Sequence, residues 1–370
     1  MATTVQGLED VVAEEIEELI EKKTYPERGR VEFEGALREM YRVNLRSRCA
    51  NRVFLILEKE RVENLEEIYR VARDVDYSQI ISENQSFAVR AKRVGEHKFR
   101  SPDIASEVGR AVIDSFRDST GERLKVNLDE PDVEIYALLR DDELIISVNT
   151  TGESLHKRGY RKYQHHAPIK PTLGASLIRM SGWTPSEPLL DPMCGSGTIP
   201  IEAALMALRV KNQRDFAFKR LKIHDEELFR EELEKEFQSE ISGRIVGMDI
   251  SPKNVEGARK NAEFAGVLDK IEFLEGDAKR LEDFIDFSPK FVVVNPPYGI
   301  RSSRKGAIKE LYEKFMYSLE KISDYTTLVL ITAAEREFRE TLEKVRANEV
   351  EERFVLYGDL PARVFKVLMG

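Results

Sequence analysis

From residue 188 onward, short runs of strand-forming residues alternate with amphipathic stretches of ten or more residues, and this rhythm constrains the fold more than any other feature of the chain. "PLLDPM", "RIVGMDI", "KIEFLEG", "KFVVVNPP" and "TTLVLITAA" are each followed by a helical pattern, whereas "RFVLYG" and "ARVFKVL" follow one another directly. A strand that must return parallel to its predecessor needs a crossover, and the crossover helices cover both faces of the sheet. The rhythm therefore predicts an α/β, Rossmann-like unit over 171–370: a mostly parallel seven-stranded sheet with an antiparallel edge where the last two strands lack a helix between them.

The preceding half has a different pattern. Leu8, Val11, Val12, Ile16, Leu19 and Ile20 share one helical face; "RVEFEG", a helix near 37–45 and "RVFLILE" follow, so 1–60 reads as a small α+β domain. Residues 61–153 read as a second one. There "NLEEIYRVAR" is a helix and "SFAVRAKR" a strand, Ser101, Pro102 and Asp103 start a helix, and "VEIYALLR" and "ELIISVNT" form a hairpin. Residues 154–170, "SLHKRGYRKYQHHAPIK", carry no acid and read as a basic linker.

In an open parallel sheet, ligands bind beyond the carboxyl ends of the strands. The first such end carries "DPMCGSGT", where Gly195 and Gly197 let backbone approach a ligand and Thr198 opens a helix with free N–H groups. The second ends in Asp249 and Ile250, the third in Asp277 and Ala278. Asp249 stands where a ribose diol would be held and Asp277 suits an exocyclic amine; either could instead be a cap. A dinucleotide fingerprint is disfavoured, because Pro200 stands where its third glycine would be and Asp249 lies far downstream of a charged insertion at 211–240. The fourth end is "NPPYG". An exocyclic base amine is a poor nucleophile because its lone pair is delocalised. The side-chain oxygen of Asn295 and the carbonyl of Pro296 could accept its two hydrogens and aim the lone pair, with Tyr298 stacking on a flipped-out base. Pro296 and Pro297 restrict the backbone that holds them.

These motifs resemble those of class I S-adenosylmethionine-dependent methyltransferases, in which "NPPY" belongs to enzymes acting on exocyclic or amide nitrogens. The resemblance implies that Asp191, Met193, Cys194, Gly195, Gly197 and Thr198 bind the methionyl part of S-adenosylmethionine, that Asp249 and Ile250 bind its ribose side and that Asp277 and Ala278 meet adenine. Asn295, Pro296, Pro297 and Tyr298 would form the catalytic slot, with Asn295 also touching the cofactor. Residues 1–160 resemble a ferredoxin-like domain followed by a THUMP RNA-binding domain, most recognisably in "FAVRAKRVGEHKFRSPDIASEVGRAV". Module order and Asn295 are similar to the tRNA guanine-N2 methyltransferases of the sixth, acceptor-stem nucleotide. The related enzymes of the tenth nucleotide usually carry Asp at that position. Methylation of ribosomal RNA guanine, adenine N6 or a glutamine amide, or RNA binding without catalysis, are the alternatives.

The net charge of −9 over 370 residues argues against nucleic acid, but its distribution does not. Acids crowd the first helix, whereas Arg90, Lys92, Arg93, Lys98 and Arg100, Lys157, Arg158 and Arg161 of the linker, and Arg301 and Arg304 of "IRSSRKG" are candidates to meet tRNA phosphates. Two cysteines and adjacent His165 and His166 offer no metal-ligand spacing, so no metal is expected. No stretch approaches the roughly 20 apolar residues of a membrane span, and the start lacks a signal-peptide pattern. A cytoplasmic monomer is expected. The 34% of charged residues resembles the composition of heat-adapted proteins.

Overall fold

The computed structural model describes residues 1–164, 168–237, 240–298, 305–358 and 360–370. The first half is built on strands β1 (Ala2–Thr3), β2 (Thr24–Glu27), β3 (Arg30–Phe33), β4 (Arg52–Arg61), β5 (Ser86–Val94), β6 (Lys125–Val126), β7 (Val133–Arg140) and β8 (Glu143–Asn149). They form one continuous eight-stranded sheet in the order β2-β3-β1-β4-β8-β7-β5-β6. The two α+β units read from the sequence thus share a sheet. Ten-residue β4 is the joint, pairing antiparallel with β1 along one side and with β8 along the other. Helices α1 (Glu9–Ile20), α2 (Leu37–Arg46), α3 (Leu65–Arg73) and α4 (Ser101–Thr120) contribute Ile16, Tyr41, Ile68 and Val108 to the core against this sheet. A smaller cluster holds Phe54, Leu138 and Ile145.

The second half runs α5 (Pro171–Ser181), β9 (Leu189–Asp191), α6 (Thr198–Ala207), α7 (Glu226–Glu234), β10 (Ile245–Asp249), α8 (Pro252–Phe264), β11 (Glu272–Glu275), β12 (Phe291–Val294), α9 (Lys305–Ile322), β13 (Thr326–Thr332), α10 (Glu335–Leu342), β14 (Ala347–Tyr357) and β15 (Leu360–Met369). Its sheet order is β11-β10-β9-β12-β13-β15-β14, with β15 antiparallel to both neighbours and the other pairs parallel. Burial on both faces explains the apolar runs: Val292 and Val294 enter one core beside Leu190, while Val293 enters the opposite core with Leu189. The chain builds outward from β9 through β10 to β11, then returns to place β12 on β9's other side. That reversal opens a crevice beyond the carboxyl ends of β9 and β12.

The 211–240 insertion serves as a brace between the halves. Tyr41 of α2 meets Phe218 and Phe229 with ring centroids 4.8 and 5.6 Å apart, and its hydroxyl accepts the Asp225 N–H at 2.9 Å. Glu232 of α7, fully buried, pairs with Arg38 at 2.9 Å and Arg42 at 3.0 Å. A second buried carboxylate, Glu202 of α6, accepts from Arg48 at 2.7 Å, from Arg158 at 3.3 Å and from the Tyr160 hydroxyl at 2.9 Å. The halves also meet where β14 passes the start of α1: the Leu356 N–H donates to the Gln6 carbonyl at 3.1 Å, and a Cβ at Gly7 would come within 2.1 Å of the Phe354 carbonyl oxygen. Among the described residues, no helix is long and apolar enough to cross a membrane, and no group of three or more His, Cys, Asp or Glu side chains could hold a metal ion.

Candidate active site

The glycine loop closes β9. Gly195 and Gly197 have φ of 54° and 77°, the left-handed region that a side chain makes costly, and the second turns the chain directly into α6. The Gly195 N–H donates to Asp249 Oδ2 at 2.9 Å, so loop and acidic strand end are fastened together. Asp249 Oδ1 accepts the Ser251 N–H and the Asn254 side-chain amide, both at 2.9 Å. Three bonds leave room for about one more of the four that a carboxylate can accept. Asp249 is thus both a turn-former for α8 and an acceptor facing the crevice.

Asp191 is buried and accepts the Met193 N–H at 3.2 Å. Burial, and then the neighbouring charge of Asp249, push its carboxyl well above the usual range; the buried Cys194 thiol is raised by burial and by the charges of Asp191 and Asp249. Neither Asp191 nor Asp249 forms an ion pair among the described residues; the raised Asp191 carboxyl favours its neutral form, so the charge that a cationic ligand would meet at these strand ends is that of Asp249. Beside them, Ile250 is 64% exposed, an apolar side chain at the mouth of the crevice. Asp277 caps the following turn through the Lys279 N–H at 3.0 Å, and its other oxygen lies 3.4 Å from the Lys279 ammonium; Ala278 is buried.

Asn295 and Pro296 follow β12 across the crevice. The Tyr298 hydroxyl donates to Asn295 Oδ1, so the ring expected to lie open for a base instead folds back and occupies the acceptor intended for the amine. Burial raises the Tyr298 pKa, keeping the hydroxyl a neutral donor.

Several residues outside the sequence motifs order this site. Asn254, Gly257, Ala258 and Asn261 recur at helical spacing on one face of α8. Asn261 Oδ1 accepts the N–H groups of Lys162 and Tyr163 at 2.9 and 2.8 Å, and its amide donates to the Ser196 carbonyl at 3.0 Å. The Tyr163 hydroxyl donates to Asn254 at 2.8 Å, which in turn holds Asp249. Tyr163 fits only because residue 257 is glycine: a Cβ there would lie 2.1 Å from its ring. The stripe of small and amide residues in "NVEGARKN" was the available signal.

Two phosphate candidates turn inward. Arg158, with 4% of its side chain exposed, bonds Glu202, Asn212 and the Arg48 carbonyl and has no face to offer RNA. Arg161 bonds the Ile169 carbonyl and, at 2.9 Å, the Thr198 hydroxyl. Burial cancels the advantage of the basic run, because those guanidinium groups replace water with protein acceptors. Arg90, Lys92, Lys98, Arg100 and Lys157 are exposed or nearly so, although Arg90 also bonds the Leu128 carbonyl at 2.6 Å and Lys157 pairs with Glu153 at 2.6 Å. Arg93 is half-buried and donates to the Gly95 carbonyl at 3.2 Å. Arg301, Arg304 and His166 lie outside the described residues, as does His165.

Residues 158–363 match the RMKL-like methyltransferase domain family, 62–149 the THUMP domain and 1–54 the RlmL ferredoxin-like domain. The chain belongs to the RMKL-like, THUMP-containing methyltransferases. Within that family it is 42% identical over 368 residues to a tRNA (guanine(6)-N2)-methyltransferase of Archaeoglobus fulgidus, covering 98% of this chain and 90% of the relative. It is 40% identical over 374 residues to the enzyme of that name from Methanocaldococcus jannaschii, covering 98% of each. A solved putative methyltransferase complexed with SAH superposes with a TM-score of 0.83 at 28% identity, covering 99% of this chain and 96% of that one. As a member of this family the protein is an enzyme with a class I methyltransferase fold behind a THUMP domain.

Proposed function

We propose that the protein methylates the exocyclic N2 amine of the guanosine at the sixth position of tRNA, using S-adenosylmethionine. The observation that carries the reading is the placement of Asn295 and Pro296 beyond β12, directly across the strand-order reversal from the glycine loop of β9. The residues fit that cofactor: Asp249 has spare acceptor capacity for ribose hydroxyls and, without an ion pair among the described residues, suits a cation nearby, Ile250 offers an apolar face, and Asp277 and Ala278 would meet adenine. The cofactor supplies a methyl group on a positively charged sulfur, already activated for displacement.

The chain's own residues do the positioning. Asn295 Oδ1 and the Pro296 carbonyl accept the two amine hydrogens, so that the nitrogen lone pair is held out of conjugation with the ring and pointed into the crevice. For this to happen, the Tyr298 hydroxyl must leave Asn295, and its ring then becomes free to stack on the base. Alignment supplies the rate and no strong base is required. The THUMP half contributes cations, Lys92, Lys98 and Arg100 among them, that recognise the tRNA as a charged shape.

The test is nucleoside mass spectrometry with site mapping after incubation of purified enzyme with S-adenosylmethionine and unmodified tRNA transcripts. N2-methylguanosine at position 6 is expected. Methylation confined to ribosomal RNA, to adenine or to another tRNA position would overturn the reading.

A further inference from the structure

Between the two halves, beside the crevice, three basic side chains converge from separate stretches of the chain. Arg52 opens β4, His156 lies in the connecting segment and Lys170 immediately precedes α5. Asn51 gathers these stretches. Its carbonyl accepts the Leu155 N–H at 2.7 Å and the Ser154 hydroxyl at 3.0 Å, and its side-chain oxygen accepts the Thr172 hydroxyl at 2.9 Å. Ser154, its own proton given to Asn51, accepts from His156 Nδ1 at 2.7 Å, and Arg52 is steadied by the Gly152 carbonyl at 3.1 Å. Arg52, His156 and Lys170 are half-buried, and none of them forms an ion pair among the described residues. Burial, and then the charges of Lys170, Lys157, Arg161 and Arg52, hold the His156 imidazole down to about 4; of those cations Lys157 is answered by Glu153 at 2.6 Å. Positive potential therefore gathers at this seam.

The cluster borders the catalytic slot. α5 leads into β9 and so begins beside the carboxyl ends of the strands; its first turn packs on that of α6, since a Cβ at Gly174 would meet the Ile199 and Thr198 side chains at 3.6 and 3.7 Å. The Tyr357 hydroxyl, at the end of β14, accepts the Lys170 N–H at 2.9 Å and donates to the Pro168 carbonyl at 3.2 Å, while the Lys170 ammonium stands 5.4 Å from that ring. Tyr357 in turn neighbours Tyr298. A base turned out of its stack into a slot leaves its own backbone at the slot's mouth, and a grip on that backbone sets its register. The geometry points to Arg52, His156 and Lys170 as the site of the backbone phosphate next to the methylated nucleotide. This rests on the proposed methylation of tRNA. An anion there would also let His156 take up a proton, so that both ring nitrogens donate.

Ethylation of single phosphates in unmodified tRNA, followed by gel separation of bound from free RNA with S-adenosylhomocysteine present, maps the phosphates that the full chain needs. With wild type, ethylation beside the sixth nucleotide should interfere with binding. With Lys170→Met and with His156→Gln that interference should vanish while interference elsewhere on the tRNA persists. Single-turnover methylation should slow on the order of 10-fold for Lys170→Met, the loss of one charge-assisted contact. S-adenosylhomocysteine affinity in calorimetry should change by less than about threefold in either variant. No interference beside the sixth nucleotide in wild type, or its retention in both variants, would make the cluster a brace between the halves. A lowered S-adenosylhomocysteine affinity would make it part of the cofactor pocket; each of these outcomes overturns the inference. Methyl transfer mapped to a nucleotide other than the sixth would instead bring down the reading beneath it, and the ethylation pattern around the nucleotide actually modified would then decide the inference.

Discussion

Removing the Glu202 carboxylate should uncouple the two halves of the protein. It lies on α6 with none of its side chain exposed, and its partners Arg48 and Arg158 are 7% and 4% exposed. Arg48 comes from the first half, Arg158 and Tyr160 from the connecting segment, and Asn212 of the insertion accepts from both guanidinium groups at 3.3 and 2.9 Å. Breaking one buried pair by deleting a single partner costs about 3–5 kcal/mol, because a charge is left without compensation. Glu202→Ala strands two, so the upper end, roughly 5 kcal/mol, is expected. Glu202→Gln keeps an acceptor of the same shape and should lose about half of that.

Denaturant unfolding can resolve where the loss falls. The single tryptophan, Trp183, follows α5 and reports on the second half by fluorescence, whereas circular dichroism reports on both. Glu202→Ala should separate the two transitions. A further comparison checks the cause: replacing Arg48, Glu202 and Arg158 together by apolar residues of similar volume should recover much of the loss, since desolvation disappears with the charges. The pH dependence has a definite sign. Burial raises the Glu202 carboxyl, but Arg158 and then Arg48 outweigh burial and leave it below its ordinary value of 4.5. Its contribution is thus fully present above 4.5, and the gap between wild type and Glu202→Gln should close as pH falls through the lowered value. Coincident transitions for Glu202→Ala, within about 1 kcal/mol of wild type, would refute the reasoning.

Asp249→Ala should weaken S-adenosylhomocysteine binding by about 1.5–3 kcal/mol in calorimetry, the range for charge-assisted hydrogen bonds, with the intact fold checked by circular dichroism. Asn295→Ala should leave that affinity nearly unchanged while slowing single-turnover tRNA methylation by about 2–4 kcal/mol of transition-state stabilisation. Tyr298→Phe keeps the ring and removes the donor that occupies Asn295, so its single-turnover rate should not fall by more than about threefold. Neutralising Lys92, Lys98 and Arg100 together should weaken tRNA binding and reduce the slope of log affinity against log salt by roughly 0.7–0.9 for each phosphate left without its cation, as filter binding across a salt series would show.

The parallel sheet was legible because burial on both faces leaves a run such as "VVV" and because crossovers need helices. The glycine loop and "NPPY" were legible because their chemistry is local. The shared eight-stranded sheet was not, since β4 pairs with strands far away on either side and nothing in "RVFLILE" names those partners. Nor could the basic run at 157–162 reveal which guanidinium groups turn inward: Glu202 and Thr198, which decide it, come 44 and 37 residues after the arginines they hold. Pro200 in place of a third glycine is explained by Gly247 on β10, where a Cβ would meet the proline ring at 2.9 Å. Space for the close helix–strand approach is provided from the strand, which a motif centred on the loop does not include.

The seam between the start of α1 and β14 bears on the order in which the protein is made. Arg353 donates to the Gly7 carbonyl, 346 residues away, and Gly7 itself packs beneath the Phe354 backbone. During synthesis the first half leaves the ribosome long before its partner strand exists, so Val5, Leu8 and Val11, which belong to the second half's core, stay uncovered through most of elongation. Closing so distant a contact is entropically slow and leaves apolar surface open to association. Maturation of this chain should therefore end with the capture of the β14–β15 hairpin, and folding intermediates stalled before that step should be the ones that need chaperones.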